Sequence, residues 1–393
     1  MFKRICMVVC TVLLVSTALM VTPAMAEEEK TLNIYFWFEY IPDSIIKGFE
    51  KETGIKVNLD TFDSLSVLET KLLTGKSGYD VVIPTSTMAN RLIKVNTFQK
   101  LDKSKLSNYH NLDTEILATL DKFDKDNAYG IPYAWGTTGI AFNLDKVKER
   151  LPNVDLRSLD LLFKVENVSK LSDCGVAILD AWDEVISIAL NYLGLDPYST
   201  KKEDLQKAEN LLKSIRPYIR HFNNANFIEE LATGELCAAL TYNGDAGIAS
   251  MRADELANGN IIDYSIPKEA TVIYFDFLAI PADAKHPDNA HKFLDYLMRP
   301  EEIAKFSNEF FFANANTAAL AYVNDEVKGD PDIYPPQDVK DKLFLQADPP
   351  KKDRRTLTRL WTKIKANRYL EIDIAFVLEI EDDRDKGNRD KQN

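Results

Sequence analysis

Three observations on this 393-residue chain predict an α/β fold of two domains. Short apolar runs of strand character alternate with segments of helical period along most of the sequence. The length left after an N-terminal leader fits two domains of ordinary size. An apolar segment rich in Gly and Thr, from Ile131 to Phe142, reads as strand passing into strand and suits a connection crossing between lobes.

The leader comes first. Lys3 and Arg4 precede an apolar stretch from Ile5 to Val21, and Pro23-Ala24-Met25-Ala26 sets small residues before Glu27, as in a cleavable secretory signal over residues 1–26. A membrane anchor is the alternative, since the stretch is near the lower length limit for a span. The Ala-x-Ala site and the acidic Glu27-Glu28-Glu29 that follows favour cleavage. Cys10 lies inside the apolar run rather than at its end, which argues against a lipid-anchored cysteine.

Leu32 to Trp37 then reads as a buried strand. Pro42 is a good first helical residue, Ile45, Ile46 and Phe49 recur at helical spacing, and Gly54 is placed to stop that helix. Ile55–Phe62 alternates as a second strand, Leu65–Leu73 is helical, and Tyr79–Ile83 is a short apolar strand. Pro84-Thr85-Ser86 opens a further helix with hydroxyl residues at its N-cap. The pattern predicts a largely parallel sheet with helices on both faces, in which ligands bind beyond the carboxyl ends of the strands. Helices are expected near residues 181–193, 203–214, 288–299 and 300–309, with a strongly apolar strand over residues 272–281. The charge-rich Glu379–Asn393 reads as disordered.

Composition narrows the function classes. The formal net charge is −13, which argues against nucleic acid and anionic lipid and mildly favours capture of cations. Cleavage leaves two cysteines, Cys174 and Cys237, most simply a disulfide in an oxidising compartment and otherwise two buried thiols. Closing so long a loop stabilises by ~4 kcal/mol in the chain-entropy model. No nucleophile elbow, phosphate loop, dinucleotide turn or zinc-type His-Glu pair is present. His110, His221, His286 and His291 lack ligand spacing, and Asp121, Asp124 and Asp126 lack the glycine and closing glutamate of a calcium loop. The expectation is therefore no catalytic residue, no metal and no cofactor.

What recurs is acid beside aromatic. Trp37-Phe38-Glu39-Tyr40 ends the first strand, Trp182-Asp183-Glu184 opens an apolar helix, and Tyr242-Asn243-Gly244-Asp245 follows an apolar strand. Tyr274-Phe275-Asp276 lies inside one, and Phe310-Phe311-Phe312 precedes Ala313-Asn314-Ala315-Asn316. An aromatic face attracts a desolvated cation by ~0.5–2 kcal/mol. A hydrogen bond to a charged group contributes ~1.5–3 kcal/mol. Most of these residues also have an ordinary reading, as core rings, helix-start acids or caps. Asp276 resists it, because a carboxylate inside a buried strand needs a cation or a donor.

The chain resembles the periplasmic polyamine-binding proteins of ABC importers, and looks closest to their putrescine-binding branch. The likeness rests on an ordered set of landmarks: Phe49-Glu50-Lys51-Glu52-Thr53-Gly54-Ile55-Lys56-Val57, Tyr79-Asp80-Val81-Val82-Ile83-Pro84, and Pro132-Tyr133-Ala134-Trp135-Gly136-Thr137-Thr138-Gly139. Leu193-Gly194, Ser265-Ile266-Pro267-Lys268-Glu269 and Ile333-Tyr334-Pro335-Pro336 follow. The resemblance implies a two-lobe solute-binding fold with a hinge and a ligand cleft between lobes. The expected lobes are residues 31–137 plus 262–303 and residues 138–261 plus 304–366, with 367–393 an extension outside the likeness.

The resemblance further implies that Trp37 and Tyr40 wall the site, that Glu184, Asp245 and Asp276 hold ammonium groups, and that Thr85 offers a hydroxyl. It pairs Cys174 with Cys237. Phe38, Glu39, Tyr242, Tyr274 and Phe312 complete the expected ligand-binding set. Four of the positions depart from the putrescine-type pattern. Phe38 replaces a small hydroxyl residue, Glu39 an Asp, Tyr242 a Trp and Phe312 a Tyr. A longer polyamine can offset a lost end contact with extra buried methylenes, each worth ~0.8 kcal/mol. The expectation is therefore spermidine or mixed binding rather than strict putrescine selectivity. The expected partners are a polyamine and the permease subunits of an importer, with the protein a periplasmic monomer. The alternatives are the same fold serving another cationic or small solute, and a polyamine receptor feeding a sensor.

Overall fold

The computed structural model describes residues 28–366 apart from Ala225 and Ala347. The expected signal at residues 1–26 and the extension at 367–393 lie outside the described residues. No helix among the described residues is long and apolar enough to cross a membrane.

The strands are β1 (Thr31–Trp37), β2 (Lys56–Phe62), β3 (Val81–Val82), β4 (Gly130–Asn143), β5 (Val176–Ile178) and β6 (His221–Phe222). They continue with β7 (Ala238–Tyr242), β8 (Ile262–Ser265), β9 (Val272–Ala279), β10 (Ala313–Asn314) and β11 (Phe344–Leu345). Their main order is β2-β1-β3-β9-β4-β7-β5-β6. Early local signals act where the sequence places them. The helix Asp43–Thr53 buries Ile45 and Phe49, and Gly54 ends it in the left-handed region at φ 68°. Thr85 caps the helix Ser86–Ile93 by accepting from the Met88 N–H.

The sheet corrects the expectation of a largely parallel arrangement. Pairing is parallel within each lobe, β1 with β2 and β3, and β5 with β6 and β7. The strands joining the lobes are antiparallel: β4 pairs β9 through Gly130–Thr137 and pairs β7 through Thr138–Phe142. A βαβ crossover produces parallel neighbours, whereas β9 runs back along the strand that carried the chain across. β4 is buried along its whole length. Its first half belongs to one hydrophobic core, with Ile131, Tyr133 and Trp135, and its second half to the other, with Ile140 and Phe142. Gly136 lies at the changeover, where a Cβ would collide with the Asn243 amide oxygen and the Tyr274 hydroxyl.

The two cores also divide the chain differently from the expected boundaries. Ile303 to Ile333 packs with the first core, because the helix Pro300–Phe310 lays Ile303 and Phe306 against that lobe's rings. Ile262 to Ile266 packs with the second, because β8 pairs the second half of β4. Phe344 and the helix Lys351–Ala366 then return to the second core through Leu357, Trp361 and Ile364. Cys174 and Cys237 form a disulfide inside this lobe, with Cα atoms 5.6 Å apart.

Candidate functional site

The carboxyl end of β1 runs into a tight turn in which Glu39 takes φ 52°, a left-handed conformation uncommon outside glycine. The turn carries Trp37 and Tyr40 to the junction of the lobes. Tyr40 donates its hydroxyl to Asp276 Oδ2 at 2.6 Å, and Tyr133 donates to the Tyr40 carbonyl at 3.0 Å. The Trp37 side chain also hydrogen-bonds Asp276. Donors, not a protein cation, thus meet the carboxylate on β9. The ring of Phe312 meets Tyr40 edge-on at 5.1 Å and stacks on Phe306 at 6.0 Å.

The second lobe contributes from the first turns of two helices, Trp182–Tyr192 with Glu184 and Asn243–Leu256 with Asp245. Glu184 is buried and accepts from Gln346 Nε2 at 3.1 Å, from the Tyr242 hydroxyl at 3.3 Å and from the Thr138 hydroxyl. Tyr242 in turn meets Tyr274 edge-on at 5.0 Å. Thr85, the helix cap, shares a hydrogen bond with Thr87 at 3.1 Å, and Thr87 donates to Gln346 Oε1 at 2.6 Å.

These groups surround a cavity of about 90 Å³. Every expected ligand-binding position lines it except Glu39, and among the described residues no Lys, Arg or His does. Burial pushes the Asp276 carboxyl up to about 7 against the pull of its Tyr40 and Trp37 donors. Burial, reinforced by the Glu39 carboxylate, pushes Asp245 up to about 8. Glu184 is also raised, by burial first and then by Asp183 beside it. The arrangement is a small aromatic box with three carboxylates that lack a cationic side chain.

Glu39 is used otherwise. Its Oε1 accepts from Arg252 Nη2 at 2.5 Å, and Arg252 also binds Glu229. The methylene it gains over Asp therefore reaches the helix Asn243–Leu256 of the other lobe. Phe38 remains 57 % exposed at the cavity's edge. Sequence reasoning missed Leu65 and Asn224, which line the cavity, and Gln346, which joins Thr87 to Asp183 and Glu184. Gln346 follows the two-residue β11 and carries no local signal. Asp121 and Asp124 of the expected non-site are occupied by the protein itself, through Lys125 and through the Tyr129 and Gly130 N–H groups.

Size alone does not mark the site. A groove of about 750 Å³ lies against Tyr264 and Asp332, but its lining mixes both signs of charge. A second, of about 610 Å³, opens beside the small cavity and shares Trp37, Glu184 and Tyr242 with it.

Comparison with known proteins places the chain in a family. Residues 44–335 match the family model described as bacterial extracellular solute-binding protein. The chain is 48% identical over 360 residues to a putrescine-binding periplasmic protein of Escherichia coli, covering 90% of this chain and 97% of that one. It is 44% identical over 346 residues to a putrescine-binding periplasmic protein of Pseudomonas aeruginosa, covering 88% and 94%. Among solved structures it resembles a spermidine/putrescine ABC transporter substrate-binding protein of Streptococcus pneumoniae, with TM-score 0.72, 27% identity and 86% and 100% of the two chains covered. The chain belongs to the bacterial extracellular solute-binding proteins, with two α/β lobes and a ligand cleft between them.

Proposed function

We propose that this protein is an extracytoplasmic receptor that captures a polyamine, putrescine or spermidine or both, and delivers it to an ABC importer. The observation that carries the reading is the cavity with three carboxylates, two of them buried, aromatic walls and no cationic side chain among the described residues. An amino acid or an anion would need an Arg or Lys there, and a sugar has no use for three clustered acids, two of them buried. A linear polycation supplies the missing charge at its nitrogens and apolar methylenes for the rings. The relatives named above, which bind putrescine by name, support the same ligand class.

In this reading Asp276, Glu184 and Asp245 hold ammonium groups, Trp37, Tyr40, Tyr242, Tyr274 and Phe312 pack along the chain, and Thr85 adds a hydroxyl. Ligand contacts to both lobes favour the closed form. The protein acts in the periplasm as a monomer, after removal of residues 1–26, and its partners are the permease subunits. The substituted positions Phe38, Tyr242 and Phe312 favour mixed or spermidine binding. Glu39 drops out of that argument, because its extra length serves Arg252.

Calorimetry of ligand-stripped protein against putrescine, cadaverine, spermidine, spermine and agmatine tests the reading. Saturable binding of at least one of them is expected. Binding of none would overturn it, and putrescine binding tenfold tighter than spermidine would overturn only the preference.

A further inference from the structure

The helix Lys351–Ala366 carries seven basic residues against one acid, Asp353. Its cations divide by position. Lys363 and Lys365, in the last turn, are paired with Glu209 and Asp180. Lys351, Arg354, Arg355 and Arg359 line the groove of about 610 Å³ and make no ion pair or side-chain hydrogen bond among the described residues. Arg91, in the same groove, is taken by Glu69 and Asp348. The groove's own acids have donors already: Asp180 has Lys365 and Trp361, and Asp183 has Gln346. Cations in the first turns of a helix also add to the positive end of its dipole, the reverse of the usual preference. Positive charge is thus concentrated and uncompensated on one face of a chain whose formal net charge is −13.

The complementary charge comes next in the sequence. Glu371 to Asp383, outside the described residues, holds six acids and no base. The helix is ~24 Å long at ~1.5 Å per residue, and the chain from Ala366 to Glu379 spans up to ~43 Å. That length lets the segment turn back along the helix it follows. Leu65 and Trp182, half-buried in the groove, offer apolar surface to the Ile and Phe residues interspersed among these acids. Single exposed ion pairs are weak and screened by salt, but a tether holds the partner at ~mM effective concentration.

We propose that this basic face is the docking surface for the chain's own acidic segment Glu371–Asp383, with carboxylates of the segment on Arg354, Arg355 and Arg359. The groove shares Trp37, Glu184 and Tyr242 with the small cavity. The docked segment therefore neutralises a cationic rim that would otherwise repel an approaching cation. That consequence, unlike the docking itself, rests on the polyamine reading.

The test is carbodiimide cross-linking of the full chain, which joins a lysine amine to a carboxylate only where the two meet, with the links mapped by mass spectrometry. Lys351 or Lys352 is expected to link to an acid of Glu371–Asp383 within one chain, in preference to the exposed Lys122 and Lys148. The yield should fall in ~1 M salt, where the Debye length is ~3 Å. It should fall ~fivefold or more in Arg355→Glu/Arg359→Glu, where repulsion replaces attraction. Links spread equally over Lys122 and Lys148 would overturn the proposal, as would links between two chains, which would make a second copy the occupant. No link at all would also overturn it and leave the face to an acidic partner. The wild-type pattern and its salt response decide the matter even if the charge-reversed variant fails to fold.

Discussion

The two lobes build their sides of the cavity from different materials. The first core is rich in rings: Phe36, Phe49, Tyr133, Phe277, Phe293 and Phe306 are all fully buried. Its edge becomes the cavity wall directly, since Phe306 stands 5.0 Å from Tyr40 and 4.6 Å from Tyr133. The second core is mostly Leu, Ile, Val and Ala. It offers Glu184 and Asp245 at helix starts, where the positive end of the dipole eases the burial of a carboxylate. Shape thus comes largely from a core that folding packs in any case, which also holds Asp276, while the second lobe delivers the other two carboxylates.

The contrast can be broken at several points. Phe306→Ala has the largest expected effect, a loss of ~3–5 kcal/mol in stability from the cavity it leaves. It should also weaken polyamine binding by removing the support behind Tyr40 and Phe312. Urea unfolding and calorimetry read the two effects, and unchanged affinity would separate the wall from the core. Replacing both Cys174 and Cys237 by Ser should cost ~2–4 kcal/mol, confined to the second lobe. That is read by hydrogen exchange, with the first lobe's protection unchanged.

Asp276→Asn comes next, with at least a ~tenfold loss of affinity as a charge-assisted bond becomes a neutral one. The variant should fold as the wild type does, because its Tyr40 and Trp37 partners accommodate the amide. Wild-type affinity for every polyamine would remove Asp276 from the site.

The pH dependence has a definite sign. Asp276 and Asp245, pushed up to about 7 and about 8 by burial in the cavity, keep their protons to higher pH than the hydrated carboxyls of an open or unfolded form, which ionise near their ordinary values. The closed form binds more protons, so its advantage is full at low pH and is lost as pH rises through those values. Small-angle scattering of ligand-free protein should report expansion between about pH 6 and pH 8, reversed by polyamine. An unchanging radius would contradict the assignment. The smallest effect is expected from Glu39→Gln. That pair is partly exposed on both sides, so its loss should weaken binding by ~0.2–1 kcal/mol and more at low salt than at high.

Local chemistry made much of this molecule legible in advance. The Gly54 stop, the Thr85 cap, the helix Leu65–Leu73 and the strands on either side depend on residues within a turn or two of each other, and they stand where the pattern puts them. The Asp276 carboxylate announced a partner because no buried strand tolerates it alone. Tertiary structure decided what depends on distant neighbours. The antiparallel course of β9, the membership of residues 303–333 in the first core, and the Gln346 link to Glu184 leave no local trace. Glu39 shows the limit most clearly: nothing in its own turn distinguishes a ligand-binding acid from an ion-pair partner. The choice is made by Arg252, 213 residues away and within reach only where the two lobes meet.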